Sequence, residues 1–334
     1  MTAKRVCGNN SSHVETETVN ATSKVTKEAT TTAAGEKVWT SAAFQNEAFK
    51  VQTKTVQIPA KKPQNPTYGA PAWNWSGYNS ATATFKSTNG GGTKNVKASI
   101  TAKVSGGKAV YTATAKGPDG KTYTSTRTRT YSGILIAQTT ATGSNQFTFS
   151  WTRVTGADGY DIFMAKCDGG GVKYSVQKAQ TINGSGTLSW TTPSNLKVSG
   201  TGINAGTAYK AYVKAYVLVN GTHVYINTSP LIHAFASGVS GKYCNTKSVK
   251  IKSKKNVKIK KGKTSKIKAS ATKLKSKKKL ISKSHEPHIR YMSSNPGIAT
   301  VTSKGKIKGV SAGTCYIYVY TVNGAYKTVK VTVK

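Results

Sequence analysis

The sequence is poor in acidic residues. Its 334 residues include 50 lysines and arginines but only 10 aspartates and glutamates, which gives a formal net charge of +40. Such a chain is attracted to polyanions, over a distance that salt limits to about 8 Å at physiological ionic strength. The shortage is greatest in residues 247–334, where 24 basic residues accompany a single acid, Glu286. More than half of the net charge therefore lies in the last quarter of the chain.

Long apolar runs are also missing. No run approaches the roughly 20 residues of a membrane-spanning helix, so no membrane span is expected. The opening residues, MTAKRVCGNNSS, have no apolar core and show no secretory signal. Either the chain is cytoplasmic or it is a piece of a longer secreted protein. Leucine and glutamate are scarce whereas Thr, Val, Tyr and Gly are abundant, which favours strands and turns over helices.

Residues that could carry catalysis or hold a metal are sparse. The four cysteines stand singly, without the short spacings of a zinc site, at Cys7, Cys167, Cys244 and Cys315. His285 and His288 flank Pro287, which forbids the helix that a pair of zinc-binding histidines needs. Asp158 and Asp161 are close in sequence but are expected to be ordinary turn and strand residues. We therefore expect no catalytic residue, no metal and no cofactor.

An internal repeat organises the first part of the chain. Residues 35–56 align with residues 106–131, so that Trp39 matches Tyr111, and both segments predict a β-hairpin. The upstream segments, 7–26 and 87–105, also match.

The second copy opens with PAWNWSGYNSATATF (71–85), and the first copy has no counterpart of this opening. We therefore expect the chain to start inside a module and the natural protein to be longer at its N-terminus.

The two copies resemble a β-rich module that is repeated in large surface proteins of Gram-positive bacteria. The resemblance covers about residues 1–131 and rests on Pro-x-Trp-x-Trp at 71–75, Ala-Thr-Ala-Thr-Phe at 81–85 and Lys-Thr-Val-x-Ile-Pro-Ala at 54–60. A proline-containing segment without periodicity separates the copies. The expected boundaries are a truncated repeat at 1–60, a linker at 61–70 and a second repeat at 71–132.

Residues 133–238 form a third predicted unit. Short alternating strands, with turn signals every 8–12 residues or so, are typical of a β-sandwich. The unit resembles a fibronectin type III domain in its Trp151, its Tyr160 and its Gly-Thr-x-Tyr motif at 206–209. It departs from that family in a longer segment at 193–205, which is expected to be a loop excursion.

The lysine-rich segment that follows keeps a period of two. Apolar residues such as Val249, Val257 and Ile267 alternate with lysines, which would send the apolar set to one side of each strand and the ammonium groups to the other. A solvated arm or a membrane helix would not keep this alternation. The outward set is a candidate anion-binding face that comprises Lys250, Lys252, Lys258, Lys260, Lys266 and Lys268.

Residues 246–334 resemble the bacterial Ig-like domain of group 2. The resemblance rests on Ser-Ser-Asn-Pro-x-Ile-Ala-Thr-Val at 293–301, Gly-Lys-Ile-x-Gly at 305–309 and Ala-Gly-Thr at 312–314. It implies a second sandwich, interrupted by a longer connection at 273–289. Alternate residues of its penultimate strand form a candidate aromatic contact stripe that comprises Tyr316, Tyr318 and Tyr320.

The fold class expected from these features is all-β, as tandem Ig-like β-sandwich modules in an elongated array. By resemblance, such arrays are stalks and adhesion modules of extracellular or cell-surface bacterial proteins, and the chain is expected to be non-catalytic and monomeric. Expected partners are glycans, anionic cell-wall polymers or host surface proteins. The alternative is an accessory carbohydrate-binding or spacer region of a larger secreted hydrolase. The possibility that the lysine face is merely solvated and binds no ligand stays open. Sequence-specific nucleic-acid binding is not expected, because base readout relies on Arg, Asn and Gln in the grooves and the chain has only five arginines.

Overall fold

A computed structural model describes residues 1–62, 65–141, 143, 145–167, 173–281 and 286–334. Over these residues the chain consists of strands, turns and loops without any helix, which confirms the all-β prediction. Consequently, no described segment is a helix with the length and apolarity to cross a membrane. The chain divides into two compact units, Met1–Ala70 with Phe85–Lys94 and Pro71–Thr84 with Asn95–Lys334. The finer module boundaries given above stay a prediction.

The first repeat consists of a hairpin followed by a three-stranded meander. The hairpin pairs β1 with β2, and the meander has the order β3-β4-β5. Few of its apolar side chains are buried, Ala3 and Ala29 among them. The strands are β1 (Thr2–Cys7), β2 (Asn10–Thr18), β3 (Ala21–Lys27), β4 (Gly35–Ser41) and β5 (Thr53–Ile58).

The second repeat has the same meander and a larger first sheet. Its first sheet has the order β6-β7-β8 and its meander the order β9-β10-β11. Alternate residues of β10 are buried, Tyr111 among them, because successive side chains of a strand point to opposite faces of its sheet and only one face lies inside. The strands are β6 (Ala72–Ser76), β7 (Ser80–Lys86), β8 (Thr93–Lys97), β9 (Ser99–Ser105), β10 (Lys108–Lys116) and β11 (Thr122–Thr130).

The third module contains a three-stranded sheet with the strand order β12-β13-β16 and a five-stranded sheet. The larger sheet has the strand order β15-β14-β19-β20, and β21 also pairs with β19. The segment predicted as a loop excursion contains a short hairpin of β17 and β18. The strands are β12 (Ala137–Ala141), β13 (Phe147–Trp151), β14 (Gly159–Lys166), β15 (Gln177–Asn183), β16 (Ser189–Thr191), β17 (Lys197–Val198), β18 (Thr201–Gly202), β19 (Ala208–Val219), β20 (Thr222–Thr228) and β21 (Ile232–Phe235).

The core of this module follows the predicted alternation. The aromatic residues of β13 are buried, and Tyr160 of β14 is fully buried beside Trp151, with ring centroids 5.4 Å apart. Alternate residues of β19 are buried as well, at Tyr209, Ala211, Val213 and Ala215.

The C-terminal domain has a four-stranded sheet with the strand order β25-β33-β32-β29. One smaller sheet pairs β24 with β27, and another has the strand order β26-β31-β30. β25 runs parallel to β33. The remaining strands are β22 (Val239–Ser240), β23 (Tyr243–Cys244), β24 (Thr246–Ile251), β25 (Asn256–Ile259), β26 (Thr264–Lys266), β27 (Ala269–Lys273), β28 (Lys279–Leu280), β29 (Arg290–Ser293), β30 (Ala299–Val301), β31 (Lys306–Gly309), β32 (Gly313–Tyr320) and β33 (Tyr326–Val333).

The core of this domain is aliphatic. Val249, Val257 and Ile267 bury their side chains with residues of β31, β32 and β33. Between β30 and β31, Gly305 adopts a φ of +76°, as its place in the predicted glycine turn requires. Cys244 and Cys315 are buried, whereas Cys7 is exposed.

The turn between β32 and β33 joins the C-terminal domain to the third module. Asn323 is buried, and its Nδ2 donates to the carbonyls of Thr139 and Thr246, each at 3.1 Å. At the next residue, Gly324, a Cβ would lie 2.0 Å from the carbonyl oxygen of Ala137, so only glycine fits there. One amide therefore ties two modules together at their junction.

Replacing Asn323 by alanine should destabilise the compact unit that contains the third module and the C-terminal domain. The change leaves two buried carbonyls without their donor, and the expected loss of unfolding free energy is about 1–3 kcal/mol. Urea denaturation followed by tryptophan fluorescence would measure it. The control is Asn256→Ala at an exposed position, which should change stability by no more than about 0.5 kcal/mol. Equal stability of both variants would refute this role of Asn323.

Candidate anion-binding site

The six predicted lysines are all exposed, and the apolar residue inside each Lys-x-Lys pair is buried or half-buried, at Ile251, Ile259 and Ile267. The alternation thus places every ammonium group in water. However, Lys250, Lys258 and Lys266 belong to strands of three different sheets, because β24, β25 and β26 pair with strands distant in sequence and not with one another. The lysines therefore cover several surfaces of the domain rather than one sheet face.

Two of the six lysines come together in a surface cleft of about 400 Å³. We call it the lysine cleft, and it is lined by Ser253, Lys254, Asn256, Val257, Lys258, Ser265 and Lys266. Lysine, serine and asparagine side chains all carry hydrogen-bond donors, so the lining suits an anion with several oxygen atoms. Lys250, Lys252, Lys260 and Lys268 do not line the cleft.

The loop that carries Lys254 is held on both sides by hydrogen bonds. On one side, the Lys268 amide donates to Ser253 Oγ at 3.2 Å. On the other side, the Lys330 amide donates to the Lys255 carbonyl at 2.8 Å. The backbone under the cleft is therefore held in place. The two-residue alternation does not assign Lys254 to the outward side of a strand. This residue was missed by sequence reasoning because it lies in the loop between two strands.

The charge of the lysine cleft has little compensation. Glu286 is the only acid in residues 247–334, and its carboxylate lies 3.4 Å from Arg290. Lys266 lies directly opposite Lys306 on the neighbouring strand. Like charges in directly opposed positions destabilise a sheet, so an anion bound beside Lys266 would relieve repulsion that the fold itself contains.

The predicted tyrosine stripe is exposed at one end only. Tyr316 is 45% exposed, Tyr318 is half-buried and Tyr320 is 8% exposed. Arg290 covers Tyr320, with its guanidinium carbon 4.7 Å from the ring centroid. Burial raises the pKa of Tyr320, although the charge of Arg290 acts in the opposite direction. Only Tyr316 and part of Tyr318 offer surface to a ligand.

The two aspartates that are close in sequence, Asp158 and Asp161, are engaged in structural contacts. Asp158 forms a 2.9 Å ion pair with Arg129 and accepts a hydrogen bond from the Leu218 amide. Of the histidine pair, His288 donates through Nε2 to the Ile281 carbonyl, whereas His285 lies outside the described residues. No cluster of three metal-ligating side chains occurs in the part of the chain that is described.

Asp161 is the centre of a buried polar network. Its side chain is fully buried and accepts hydrogen bonds from Thr181 at 2.6 Å, His223 at 2.7 Å and Tyr225 at 2.9 Å. The ammonium group of Lys178 lies 3.6 Å away. Burial by itself raises the pKa of Asp161, but these hydrogen bonds outweigh it and hold the pKa below 3.8, its ordinary value. Burial and the bond to this carboxylate raise the pKa of Tyr225 to about 12.

The comparisons with known proteins agree with the assignment of the C-terminal domain. The family model of the bacterial Ig-like domain (group 2) matches residues 247–333. The chain thus contains a domain of this family over about a quarter of its length. No curated protein matches the chain.

Among solved structures, the chain is similar to the FN1–FN3 domains of chicken CNTN1, at 12% identity over 60% of this chain and 77% of that one, with a TM-score of 0.26. A C-terminal fragment of intimin in complex with the intimin-binding domain of its translocated receptor gives 19% identity over 60% and 64% of the two chains, with a TM-score of 0.19. The S-layer protein rSbsC gives 13% identity over 90% of this chain and 45% of that one, with a TM-score of 0.23. At these TM-scores the likenesses carry no conclusion about module arrangement or ligands.

Replacing Asp161 by asparagine should destabilise the protein in a pH-dependent way. A carboxylate whose pKa is lower in the folded state stabilises the fold above its unfolded pKa of about 3.9, and this stabilisation is lost as the pH falls through the folded pKa. We expect a loss of about 2–3 kcal/mol at pH 7 that shrinks below about pH 4. Chemical denaturation at pH 7 and pH 3 would measure it, with Glu47→Gln at an exposed position as the control. A loss that stays constant between the two pH values would contradict the assignment.

Proposed function

We propose that the chain is a non-catalytic region of a bacterial cell-surface protein, and that its C-terminal domain binds anionic envelope polymers through the lysine cleft. The observation that carries the proposal is the convergence of Lys254, Lys258 and Lys266 in a domain with a single acid. The match to a bacterial domain family supports the bacterial surface setting. The fibronectin type III-like third module and the two repeats act as spacers that hold this domain away from their attachment point.

The chemistry of the cleft favours phosphate-bearing polymers over neutral glycans. Ammonium groups attract phosphate oxygens over several ångströms, and the neighbouring serine and asparagine side chains can donate to the same oxygens. Neutral sugars are usually held by exposed aromatic rings, but here the tyrosine stripe is largely covered. Contact with a repeating phosphodiester also suits a binding site that continues outward into further lysines, such as Lys306 and Lys308 on β31.

Binding to poly(glycerol phosphate) should depend on the cleft. In the double variant Lys258→Glu with Lys266→Glu, two attractive contacts become repulsive, and we expect affinity to fall by about tenfold or more. The control is Lys304→Glu with Lys327→Glu, which makes the same change in net charge at exposed positions outside the cleft and should cost no more than about threefold. Isothermal titration calorimetry at 50 and 200 mM salt would measure both, with a neutral glucan as a second ligand.

Salt dependence provides a second readout of the same contacts. Each lysine removed from a polyanion contact lowers the slope of log K against log salt by about one, so the cleft variant should lose about two. An equal loss of affinity in both double variants would show that binding depends on the overall charge of the protein, and it would refute the lysine cleft as the binding site. Preferential binding of the neutral glucan would refute the proposal altogether. Sequence next to this region in the parent protein would distinguish an adhesion region from an accessory region of a hydrolase.

A further inference from the structure

The outward face of the five-stranded sheet in the third module carries a group of aromatic rings. Phe163 of β14 lies directly opposite Tyr212 of β19, and Tyr225 lies on β20, the next strand of the sheet. The rings of Phe163 and Tyr212 stack with their centroids 5.0 Å apart, and the ring of Tyr225 meets that of Phe163 edge-on at 6.1 Å. All three residues are half-buried, so each keeps part of its surface in water. We call these three residues the aromatic cluster.

A lysine ammonium group lies close to all three rings of the aromatic cluster. Lys214 follows Tyr212 by two residues on β19, so both side chains point to the same face of the sheet. Its Nζ lies 4.5 Å from the ring centroid of Tyr225, and 5.2 Å and 5.5 Å from those of Phe163 and Tyr212. The rings attract the charge but accept no ordinary hydrogen bond from it. Among the described residues this ammonium group has no hydrogen-bond acceptor, so its N–H groups stay available to a ligand.

The buried polar network of Asp161 holds the aromatic cluster in place. Tyr225 donates from its hydroxyl to Asp161 Oδ2 at 2.9 Å, and Asp161 lies directly opposite Lys214 on the neighbouring strand. Thr181 of β15 and His223 of β20 bond to the same carboxylate. The ring of Tyr225 is therefore oriented before any ligand arrives, and little conformational freedom is lost on binding.

The five strands of this sheet carry a surplus of positive charge. They contain one acid, Asp161, and four lysines, which are Lys166, Lys178, Lys210 and Lys214. Asp161 is fully buried, and the ammonium group of Lys178 lies 3.6 Å from its carboxylate. Lys178 thus already compensates the charge of Asp161, and the other lysines leave a positive potential beside the rings. This potential favours an anionic ligand over a cationic one, although aromatic rings by themselves would suit either.

We propose that the aromatic cluster binds a sugar residue that carries a carboxylate, as the uronic acid units of acidic polysaccharides do. One C–H face of the pyranose ring packs against the exposed part of the aromatic rings, which bury apolar surface without needing a hydrogen bond. The carboxylate of the sugar accepts hydrogen bonds from the Lys214 ammonium group, and charge-assisted bonds of this kind are strong ones. The inference is independent of the lysine cleft, which has no aromatic residue in its lining. The third module is then a second binding module and not a spacer alone.

Titration of the full chain with two matched trisaccharides tests the inference. One is a trimer of galacturonic acid, and the other is the corresponding trimer of galactose, which has a hydroxymethyl group in place of each carboxylate. Calorimetry at about 150 mM salt, which screens the overall charge of the protein, should show saturable binding of the acidic trimer. We expect its affinity to be about tenfold higher than that of the neutral trimer, because only the acidic trimer offers a charged acceptor to Lys214.

Two variants separate the contribution of the charge from that of the rings. Lys214→Met keeps an apolar stem but removes the ammonium group, so it should weaken binding of the acidic trimer about tenfold and leave the neutral trimer unchanged. Phe163→Leu keeps an apolar side chain but removes the ring, so it should weaken binding of both trimers about threefold or more. The matched control is Lys197→Met at an exposed position of the same module, which should change either affinity by less than about twofold. Circular dichroism of each variant checks that the sheet is intact.

Several outcomes would overturn the proposal. Equal affinities for the two trimers, or equal losses in Lys214→Met and Lys197→Met, would show that the aromatic cluster does not recognise the carboxylate. Failure to saturate up to about 10 mM acidic trimer would show that it does not bind the sugar. Tighter binding of tetramethylammonium than of the acidic trimer would assign the cluster to a cation. The double variant Lys258→Glu with Lys266→Glu should leave the affinity for the acidic trimer unchanged, and a loss there would place the trimer in the lysine cleft instead.

Discussion

The C-terminal domain holds together because every second side chain of its strands leaves water, and this burial must outweigh the mutual repulsion of a dense set of ammonium groups. Val249, Val257 and Ile267 supply part of the buried aliphatic surface. At about 25 cal/mol per Å² of apolar area, a few such side chains offset repulsion between solvated lysines, which is weak at distances near the Debye length. The charge can remain high because the outward lysines of these strands are exposed to water.

The same separation explains how a cleft lined by several lysines can arise on the surface of this domain. Since the core needs only the inward positions, the outward positions are free to carry one sign of charge. Where the chain turns between β24 and β25, Lys254 comes beside Lys258 and Lys266, although they are not sequential neighbours. The cleft thus follows from how the strands pair, and its charge follows from the composition of the outward positions.

Sequence alone was sufficient for the strands and the core of this domain. Alternation of Val249 with Lys250, and the motif at 293–301, depend only on nearby residues, and both are found as expected. The cleft could not be predicted, because it depends on pairing between segments that are distant in the chain. The network around Asp161 could not be predicted either, since two of its partners, His223 and Tyr225, lie more than sixty residues away in the sequence.

The tyrosine stripe shows the limit of alternation as a guide to exposure. Alternation assigns Tyr320 to the outward side of its strand, but it cannot foresee that Arg290 from a neighbouring strand covers the ring. Alternation is a better guide for the lysines, because an ammonium group is rarely buried under other side chains unless it has a partner. Exposure predicted for lysines is therefore more dependable than exposure predicted for aromatic residues.

The parallel pairing of β25 with β33 has a mechanical consequence. Residues Asn256–Ile259 run alongside Lys330–Val333 in the same direction, and β33 is also hydrogen-bonded along its full length to β32. A pulling force transmitted through β33 would load these bonds together, in shear, rather than opening them one after another. Bonds that must break together resist tension better than bonds that open one after another, so this arrangement makes the domain resistant to a force applied through β33.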